Sequence, residues 1–248
     1  MANPIKIKAH VDQIQNHGDG IYSVVFKPQR RVPRFQPGQF LHLAIDDYDP
    51  RGGYWPESRV FSIASSRLRE DIVINYSVKG QFTTRMSDQL EVGGEVWLKL
   101  PYGDFIIEKN IEEDQDIILI AGGTGLSPYL SYLEEQVNSP GNRKIHLVYG
   151  VRKERHILNE NLLCNCLDSV DGFKLEIFME TESNGKLFNQ NVQPKPGMIT
   201  LDHILKIGVE LEKPVFFLSG PIVMIQSFKA GLREAGIPLA RIRIDEWE

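Results

Sequence analysis

The stretch Ile117 to Pro128 reads Ile-Ile-Leu-Ile-Ala-Gly-Gly-Thr-Gly-Leu-Ser-Pro: an apolar run, a glycine-rich turn and the start of a helix. Apolar runs bounded by glycine are typical of buried parallel strands, and Ser127 followed by Pro128 predicts an N-cap and a first helical residue. Backbone N–H groups and a positive helix dipole would converge there, which suits a phosphate. A tight turn that binds nothing is the alternative, because Leu126 stands where the phosphate loop of nucleotide triphosphatases has Lys.

Apolar runs continue to alternate with helical patterns after this stretch. Such alternation predicts a Rossmann-like parallel sheet with right-handed crossovers. The predicted strands are 117–121, 144–151, 173–179, 214–218 and 241–244, and the predicted helices are 127–137, 159–167, 201–207 and 221–235.

The first hundred residues have a different pattern, with short strands separated by Pro-Gly and Gly-Gly turns. This pattern predicts a small antiparallel, Greek-key β-barrel. The predicted strands are 6–14, 21–26, 39–45, 59–64, 71–78 and 95–100, with one helix at 83–90. A charged stretch at 108–116 separates the two patterns, so we expect two domains, 1–112 and 113–248.

Composition excludes several classes of protein. The 248 residues carry a net charge of −5, which does not favour nucleic acid as a partner. No apolar run approaches the ~20 residues of a membrane span, and the N-terminus lacks the apolar core of a signal peptide, so we expect a cytoplasmic protein. Cys164 and Cys166 are the only cysteines. They are too few for an iron–sulfur cluster or a structural zinc site, and we predict no metal site.

Two motifs in the barrel half suit a ligand with a pyrophosphate and a planar ring. In Arg59-Val60-Phe61-Ser62, the Arg can bind phosphate bidentately, the Phe can cover a ring and the Ser can meet a ring nitrogen. An ordinary strand with a solvated Arg and a core Phe is the alternative. The turn Gly80-Gln81-Phe82-Thr83 leads into a helix whose first N–H groups can contact a second phosphate.

Two further motifs end predicted parallel strands, where open α/β sheets bind their ligands. They are Tyr149-Gly150-Val151-Arg152 and Ser219-Gly220-Pro221, the latter followed by Met224.

The order of these motifs resembles the ferredoxin–NADP reductase superfamily over nearly the whole chain. The resemblance implies an FAD-binding barrel, a nicotinamide-binding domain and hydride transfer between the two cofactors. It implies FAD contacts from Arg59, Val60, Phe61, Ser62, Tyr76, Val78, Gly80, Phe82 and Thr83. It implies NADH or NADPH contacts from Gly122, Gly123, Thr124, Gly125, Pro128, Tyr149, Gly150, Arg152, Gly220, Pro221 and Met224. Ser62, near the flavin N5, and Ser219, beside the nicotinamide, are the expected catalytic residues.

Three features depart from the family pattern or extend it. Ser219 stands where the family usually has Cys, so hydride-transfer geometry is expected to change. The segment 46–57 places Tyr54 and Trp55 before the flavin motif, as a lid or as an exposed loop. The acidic-x-aromatic ending places Trp247 either over the flavin or in a frayed tail.

With no cluster ligands, electrons are expected to leave to a separate acceptor such as a ferredoxin, a flavodoxin or an oxygenase component. The basic run Lys27, Arg30, Arg31 and Arg34 is a candidate docking surface, and a solvated loop is the alternative. A free-flavin reductase, or a non-catalytic nucleotide-sensing or structural subunit of a redox complex, are the competing functions.

The sequence gives only a weak signal for the choice between NADH and NADPH, which differ by a 2′-phosphate. Arg152, Lys153 and Arg155 are candidates for a 2′-phosphate, whereas Glu180 and Glu182 suit ribose hydroxyls. The sequence slightly favours NADH.

Overall fold

Two β-sheets organise the molecule, and the computed structural model describes residues 3–181, 187–188 and 192–245. The strands of the first sheet are β1 (Ile5–Gly18), β2 (Ile21–Pro28), β3 (Phe40–Ala44), β4 (Arg59–Ser62), β5 (Ile72–Ser77) and β6 (Glu95–Tyr102). They pair antiparallel in the order β4-β3-β6-β1-β2-β5. The backbone N–H of Ala64 donates to Val73 O at 2.8 Å and joins the two edges, so the sheet nearly closes. The predicted antiparallel barrel is confirmed.

The second sheet is parallel throughout. Its strands are β7 (Ile117–Gly122), β8 (Ile145–Val151), β9 (Phe173–Met179), β10 (Lys195–Pro196), β11 (Val215–Ser219) and β12 (Ile242–Ile244). Their order is β10-β9-β8-β7-β11-β12. The α-helices are α1 (Gln81–Gln89), which follows β5, and α2 (Ser127–Asn138), α3 (Glu160–Ser169), α4 (Leu201–Glu210) and α5 (Ile222–Glu234). The predicted parallel-sheet domain is confirmed.

The strand order places a switch point between β7 and β11. From β7 the chain proceeds outward through β8, β9 and β10 on one side, and β11 and β12 lie on the other side. The connections that leave β7 and β11 therefore diverge, and in open α/β sheets the crevice at the carboxyl ends of two such strands is where ligands bind. The glycine loop after Gly122 and the turn after Ser219 both lie at this crevice.

Alternating residues of β7 face two different cores. Ile118 and Ile120 pack in the cluster that includes residues of α4 and α5. Leu119 packs in the cluster that includes α2 and α3, and the barrel residues Ala64 and Val73 belong to this same cluster. The barrel and the parallel sheet are thus joined through a continuous apolar contact.

Some local expectations were wrong in detail. Ser127 is not an N-cap: a 3₁₀ turn, Gly123–Leu126, intervenes, Leu126 occupies the cap position, and Ser127 is the first residue of α2. Strand β1 continues to Gly18, and α1 begins at Gln81. The short strand β10 had no sequence signal.

Between the two sheets lies a segment with one 3₁₀ turn, Ile107–Asn110. The predicted boundary after residue 112 falls between the end of β6 and the start of β7, and the division of the chain there stays a prediction. None of the helices in the described part of the chain has the length and apolar character needed to cross a bilayer.

Candidate functional site

Strands β4 and β5 bring together the aromatic residues predicted to face the flavin. The rings of Phe61 and Tyr76 lie 6.2 Å apart, and Tyr76 stacks on Tyr22 at 5.1 Å. Tyr76 is buried, as is Ser62 at the end of β4. Val60 and Val78 are half-buried beside them. The predicted ring-binding residues therefore share one edge of the barrel, where the sheet nearly closes.

Arg59 lies against the start of α1. Its guanidinium carbon is 5.2 Å from the centre of the Phe82 ring, so two predicted pyrophosphate-side residues are adjacent. Arg59 Nη2 forms an ion pair with Glu57 Oε1 at 2.9 Å, and Arg85 Nη1 lies 3.4 Å from Glu57 Oε2. Arg85 Nη2 also pairs with Asp46 Oδ1 at 2.5 Å. Two guanidinium groups, one from β4 and one from α1, thus meet one carboxylate, and such a pair of cations favours an anion.

The turn before α1 is ordered by Thr83. Its hydroxyl oxygen accepts from the backbone N–H groups of Lys79 and Gly80 at 2.9 and 3.1 Å, and the hydroxyl donates to Gly80 O at 3.0 Å. A Cβ at Gly80 would meet nothing within 4 Å, so this side of the turn is open. The first helical N–H groups have no partners within the helix and can bind an external anion.

The glycine loop packs directly on the turn after β11. A Cβ at Gly125 would lie 2.4 Å from Ser219 O, and a Cβ at Gly122 would lie 2.8 Å from Pro221 Cδ and 3.0 Å from Met224 Sδ. Gly220, at φ +149, would place a Cβ 2.9 Å from the Gly122 nitrogen. These glycines are required for close approach of the two loops.

Gly123 differs from its neighbours. Its φ is +55, and a Cβ there would meet no atom within 4 Å. Thr124 is half-buried beside it, and Pro128 is buried in α2. Of the four loop positions, Gly123 therefore offers the open backbone surface that a phosphate needs, whereas Gly122 and Gly125 shape the crevice.

Ser219 and Asp245 form a buried hydrogen bond at the same crevice. The Ser219 hydroxyl donates to Asp245 Oδ2 at 2.9 Å. Both side chains are buried, with 2 % and 4 % exposure. Asp245 is held in place because its backbone N–H donates to Leu218 O at 2.9 Å. A thiol is a weak donor, so this bond is a specific use of the serine that replaces the usual cysteine.

A chain of buried side chains runs from the barrel to the glycine loop. His17 Nε2 lies 2.8 Å from Ser23 Oγ, Ser23 Oγ donates to Asn75 Oδ1 at 2.6 Å, and Asn75 Nδ2 donates to Ser127 Oγ at 3.1 Å. The Ser127 hydroxyl then donates to Thr124 O at 2.8 Å. The strand that carries Tyr76 is therefore linked to the loop of the parallel sheet.

The direction of these bonds fixes the proton on His17. Because Asn75 Oδ1 can only accept, the Ser23 hydroxyl must donate to it, and His17 Nε2 must carry a hydrogen. Burial lowers the pKa of His17, and the nearby His156 lowers this pKa further. The imidazole is thus held as the neutral Nε2–H tautomer near neutral pH.

The motif after β8 is divided between core and surface. Tyr149 is fully buried, and its hydroxyl donates to His156 O at 3.1 Å. Gly150 is half-buried and packs on Ile199, whereas Arg152 is exposed. A direct nucleotide contact by the Tyr149 side chain stays a prediction, since the structure places this side chain in the core.

Sequence and structure comparisons agree with this architecture. Residues 119–230 match the family model described as the oxidoreductase NAD-binding domain. The anthranilate 1,2-dioxygenase electron transfer component of Acinetobacter baylyi is 28 % identical over 203 residues, which cover 82 % of this chain and 55 % of that protein. The chain thus spans little more than half the length of this curated relative.

Solved structures reproduce both sheets together. The flavohaem-like FAD/NAD binding domain of a nitric oxide dioxygenase from Vibrio cholerae superposes with a TM-score of 0.77 and 20 % identity, covering 97 % of this chain and 98 % of that one. A ferredoxin–NADP⁺ reductase from Neisseria gonorrhoeae, solved with FAD and NADP, gives 0.73 and 16 %, covering 99 % of each. The chain therefore has the two-sheet fold of this ferredoxin–NADP⁺ reductase.

Several residues of the candidate site were not predicted from the sequence. Asn75 had a usable signal, because it is a polar residue in the middle of the apolar strand Ile-Val-Ile-Asn-Tyr. No sequence signal indicated that His17 and Ser23 are buried, since polar residues on barrel strands usually face solvent. Arg85 and Glu57 could not be distinguished in the sequence from ordinary charged surface residues.

Other features predicted from the sequence lie outside the candidate site or outside the described residues. Trp55 packs on Tyr48 at 5.4 Å and donates from Nε1 to Ser58 Oγ at 2.9 Å, whereas Tyr54 is 97 % exposed. A lid function of this segment stays a prediction. Trp247 and Glu182 lie outside the described residues. Two members of the basic run have partners, since Lys27 pairs with Asp12 at 2.8 Å and Arg30 donates to Lys6 O.

Proposed function

We propose that the protein is an NAD(P)H-dependent, FAD-containing reductase that passes electrons to a separate acceptor. The observation that carries the proposal is the hydrogen bond from Asn75 to Ser127. It joins the barrel strand that carries Tyr76 to the loop at the sheet switch point. A flavin site and a nicotinamide site that lie on opposite sides of this bond would face each other.

The residues present fit FAD at the barrel. Glu57 already acts as an anionic partner for Arg59 and Arg85, so a pyrophosphate at the start of α1 would meet the same cations. Phe61 and Tyr76 would pack the ring, and Ser62 would donate or accept a hydrogen bond at its edge. FAD supplies the ability to accept a hydride and to release electrons to another carrier.

The residues of the crevice would orient the nicotinamide. Gly123 offers open backbone to a phosphate, and Gly122, Gly125 and Gly220 allow the two loops to approach closely. Ser219 would hold its position through Asp245 and line the approach of the two rings. Hydride transfer requires reacting atoms about 3 to 3.5 Å apart, so the contribution of these residues is orientation.

A separate acceptor is inferred from the relatives. The relative from Acinetobacter baylyi is an electron transfer component of a dioxygenase. By analogy, we propose an oxygenase component, ferredoxin or flavodoxin as acceptor, with Lys27, Arg30, Arg31 and Arg34 as the docking candidates, and a cytoplasmic location.

The test is the visible spectrum of the purified protein, followed by anaerobic addition of NADH or NADPH and then of an acceptor protein. Bound flavin that bleaches with nicotinamide and reoxidises with the acceptor is the expected result. A colourless preparation that reduces added riboflavin phosphate would indicate a free-flavin reductase. Bound flavin that neither nucleotide reduces would indicate a non-catalytic subunit, and both outcomes would contradict the proposal.

A further inference from the structure

The cations that follow β8 are placed where a nucleotide-binding sheet distinguishes NADP from NAD. In doubly wound folds, the residues just beyond the second strand meet the 2′ position of the adenosine ribose. This chain has Arg152, Lys153 and Arg155 there. A 2′-phosphate requires cations that are not engaged elsewhere.

Two of these cations are already bound by the barrel. Asp19 Oδ2 lies 2.8 Å from Lys153 Nζ, and Asp19 Oδ1 lies 2.7 Å from Arg155 Nη2. The buried imidazole of His156 approaches the same carboxylate, with Nε2 3.0 Å from Oδ2. Hydrogen bonds from Arg155 and then Lys153 hold the pKa of Asp19 well below its usual range, so the carboxylate stays ionised.

The β1–β2 hairpin is shaped to present this carboxylate. Gly18, Asp19 and Gly20 have φ values of 83, 50 and 75, three successive residues in a region that side chains rarely adopt. A Cβ at Gly18 would lie 2.9 Å from Arg155 Nε, so the hairpin fits closely against that guanidinium. Asn adopts this backbone as readily as Asp. The turn alone therefore does not require a carboxylate at position 19. The carboxylate is needed for the ion pairs with Lys153 and Arg155.

We propose that Asp19 is a specificity-determining residue, which withdraws Lys153 and Arg155 from a 2′-phosphate and thereby gives the enzyme its preference for NADH. The inference rests on the proposed function, since it assigns the nucleotide of the same site. It also connects the two domains, because a barrel residue sets the selectivity of the nicotinamide domain. Arg152 and Glu180 remain beside the site as exposed residues.

The test compares Asp19→Asn with Asp12→Asn in the FAD-loaded protein. Asp12 lies on β1, the strand that leads into the hairpin, and pairs with Lys27, so the control makes the same charge change away from β8. We expect Asp19→Asn to raise the ratio of kcat/KM for NADPH over NADH at least fivefold, mainly through KM for NADPH. The control is expected to stay within twofold of the wild type.

A binding measurement separates this inference from the proposed function. Calorimetric titration with adenosine 2′-phosphate and adenosine 5′-phosphate needs no turnover, and Asp19→Asn is expected to strengthen binding of the 2′-phosphate alone by at least fivefold. A protein that oxidises neither nucleotide but shows this gain would refute the reductase and support the role of Asp19. The double variant D19N/R155Q is expected to lose the gain.

Three results would overturn the inference. One is a wild-type preference for NADPH, and another is an Asp19→Asn variant within twofold of the wild type in both assays. The third result concerns the case in which Asp19→Asn does not fold, when Lys153→Gln and Arg155→Gln are titrated with adenosine 2′-phosphate instead. A fivefold loss of affinity in these variants would show that the two cations already bind the phosphate, and this would overturn the inference. Unchanged affinity would support their withdrawal by Asp19.

Discussion

Asn75 and Ser127 are joined by a hydrogen bond of 3.1 Å between two buried side chains. Asn75 lies on β5, next to Tyr76, and Ser127 is the first residue of α2. The amide also accepts from Ser23, so it satisfies polar groups on both sides. A single side chain thus hydrogen-bonds both a barrel strand and the helix that follows the glycine loop.

We expect Asn75→Ala to lower both stability and nucleotide affinity. Ser23 and Ser127 would each lose a buried partner, which costs about 1 to 3 kcal/mol per unsatisfied group. Ser127, which donates to Thr124 O, would also be held less firmly, so the glycine loop would be less well ordered. We therefore expect KM for the nicotinamide nucleotide to rise more than kcat falls. Urea denaturation and steady-state kinetics measure the two effects. The matched control is Asn138→Ala, whose amide donates to Glu134 O on an exposed helix end. Equal losses in the two variants would contradict the coupling.

The buried imidazole of His17 predicts an acid-sensitive fold. Its pKa is lowered in the folded protein, so the unfolded chain binds more protons below pH 6.5. The free energy of unfolding should therefore be highest above pH 6.5 and fall as the pH drops below it. His17→Gln keeps a donor toward Ser23 but cannot titrate. Denaturation between pH 5 and 8 should show a shallower dependence in this variant, and an unchanged slope would refute the assignment.

The Ser219–Asp245 bond predicts energetic coupling between two residues at the crevice. Ser219→Ala removes the donor, and Asp245→Ala removes the acceptor, so the double variant should cost less than the sum of the single variants. We expect a coupling energy of about 1.5 to 3 kcal/mol, as for hydrogen bonds to charged groups. Asp245→Asn retains an acceptor oxygen and should lose less stability than Asp245→Ala. Additive losses in a double-mutant cycle by urea denaturation would show that the bond contributes no coupling.

The proposed FAD site predicts that Glu57 competes with the pyrophosphate for Arg59 and Arg85, so that a mutation can improve cofactor binding. Glu57→Gln would release Arg59 and Arg85, so the dissociation constant for FAD should fall severalfold, whereas Arg85→Gln should raise it. Titration of the apoprotein by flavin fluorescence measures both. Glu91→Gln is the control, since Glu91 is an exposed carboxylate in the turn before β6. Tighter binding in the control as well would point to net charge rather than to Glu57.

Local sequence patterns were enough to predict the strands, the helices and the class of each domain. The change from turn-punctuated strands to alternating strands and helices predicted the barrel and the parallel sheet, because side-chain periodicity and turn residues act over a few neighbours. The five motifs, in order, indicated the reductase superfamily. The N-cap at Ser127 failed at the same local level, because the glycine loop continues as a 3₁₀ turn before the helix begins.

The pairing of polar groups, in contrast, became visible only in the folded molecule. The partners Ser219 and Asp245 are separated by 26 positions, Asn75 and Ser127 by 52, and Asp19 and Arg155 by 136. No local pattern encodes such pairs, since they depend on strand order, register and the packing of the barrel on the parallel sheet. Charged and polar side chains look alike in sequence whether solvated or paired, and burial alone distinguishes the two.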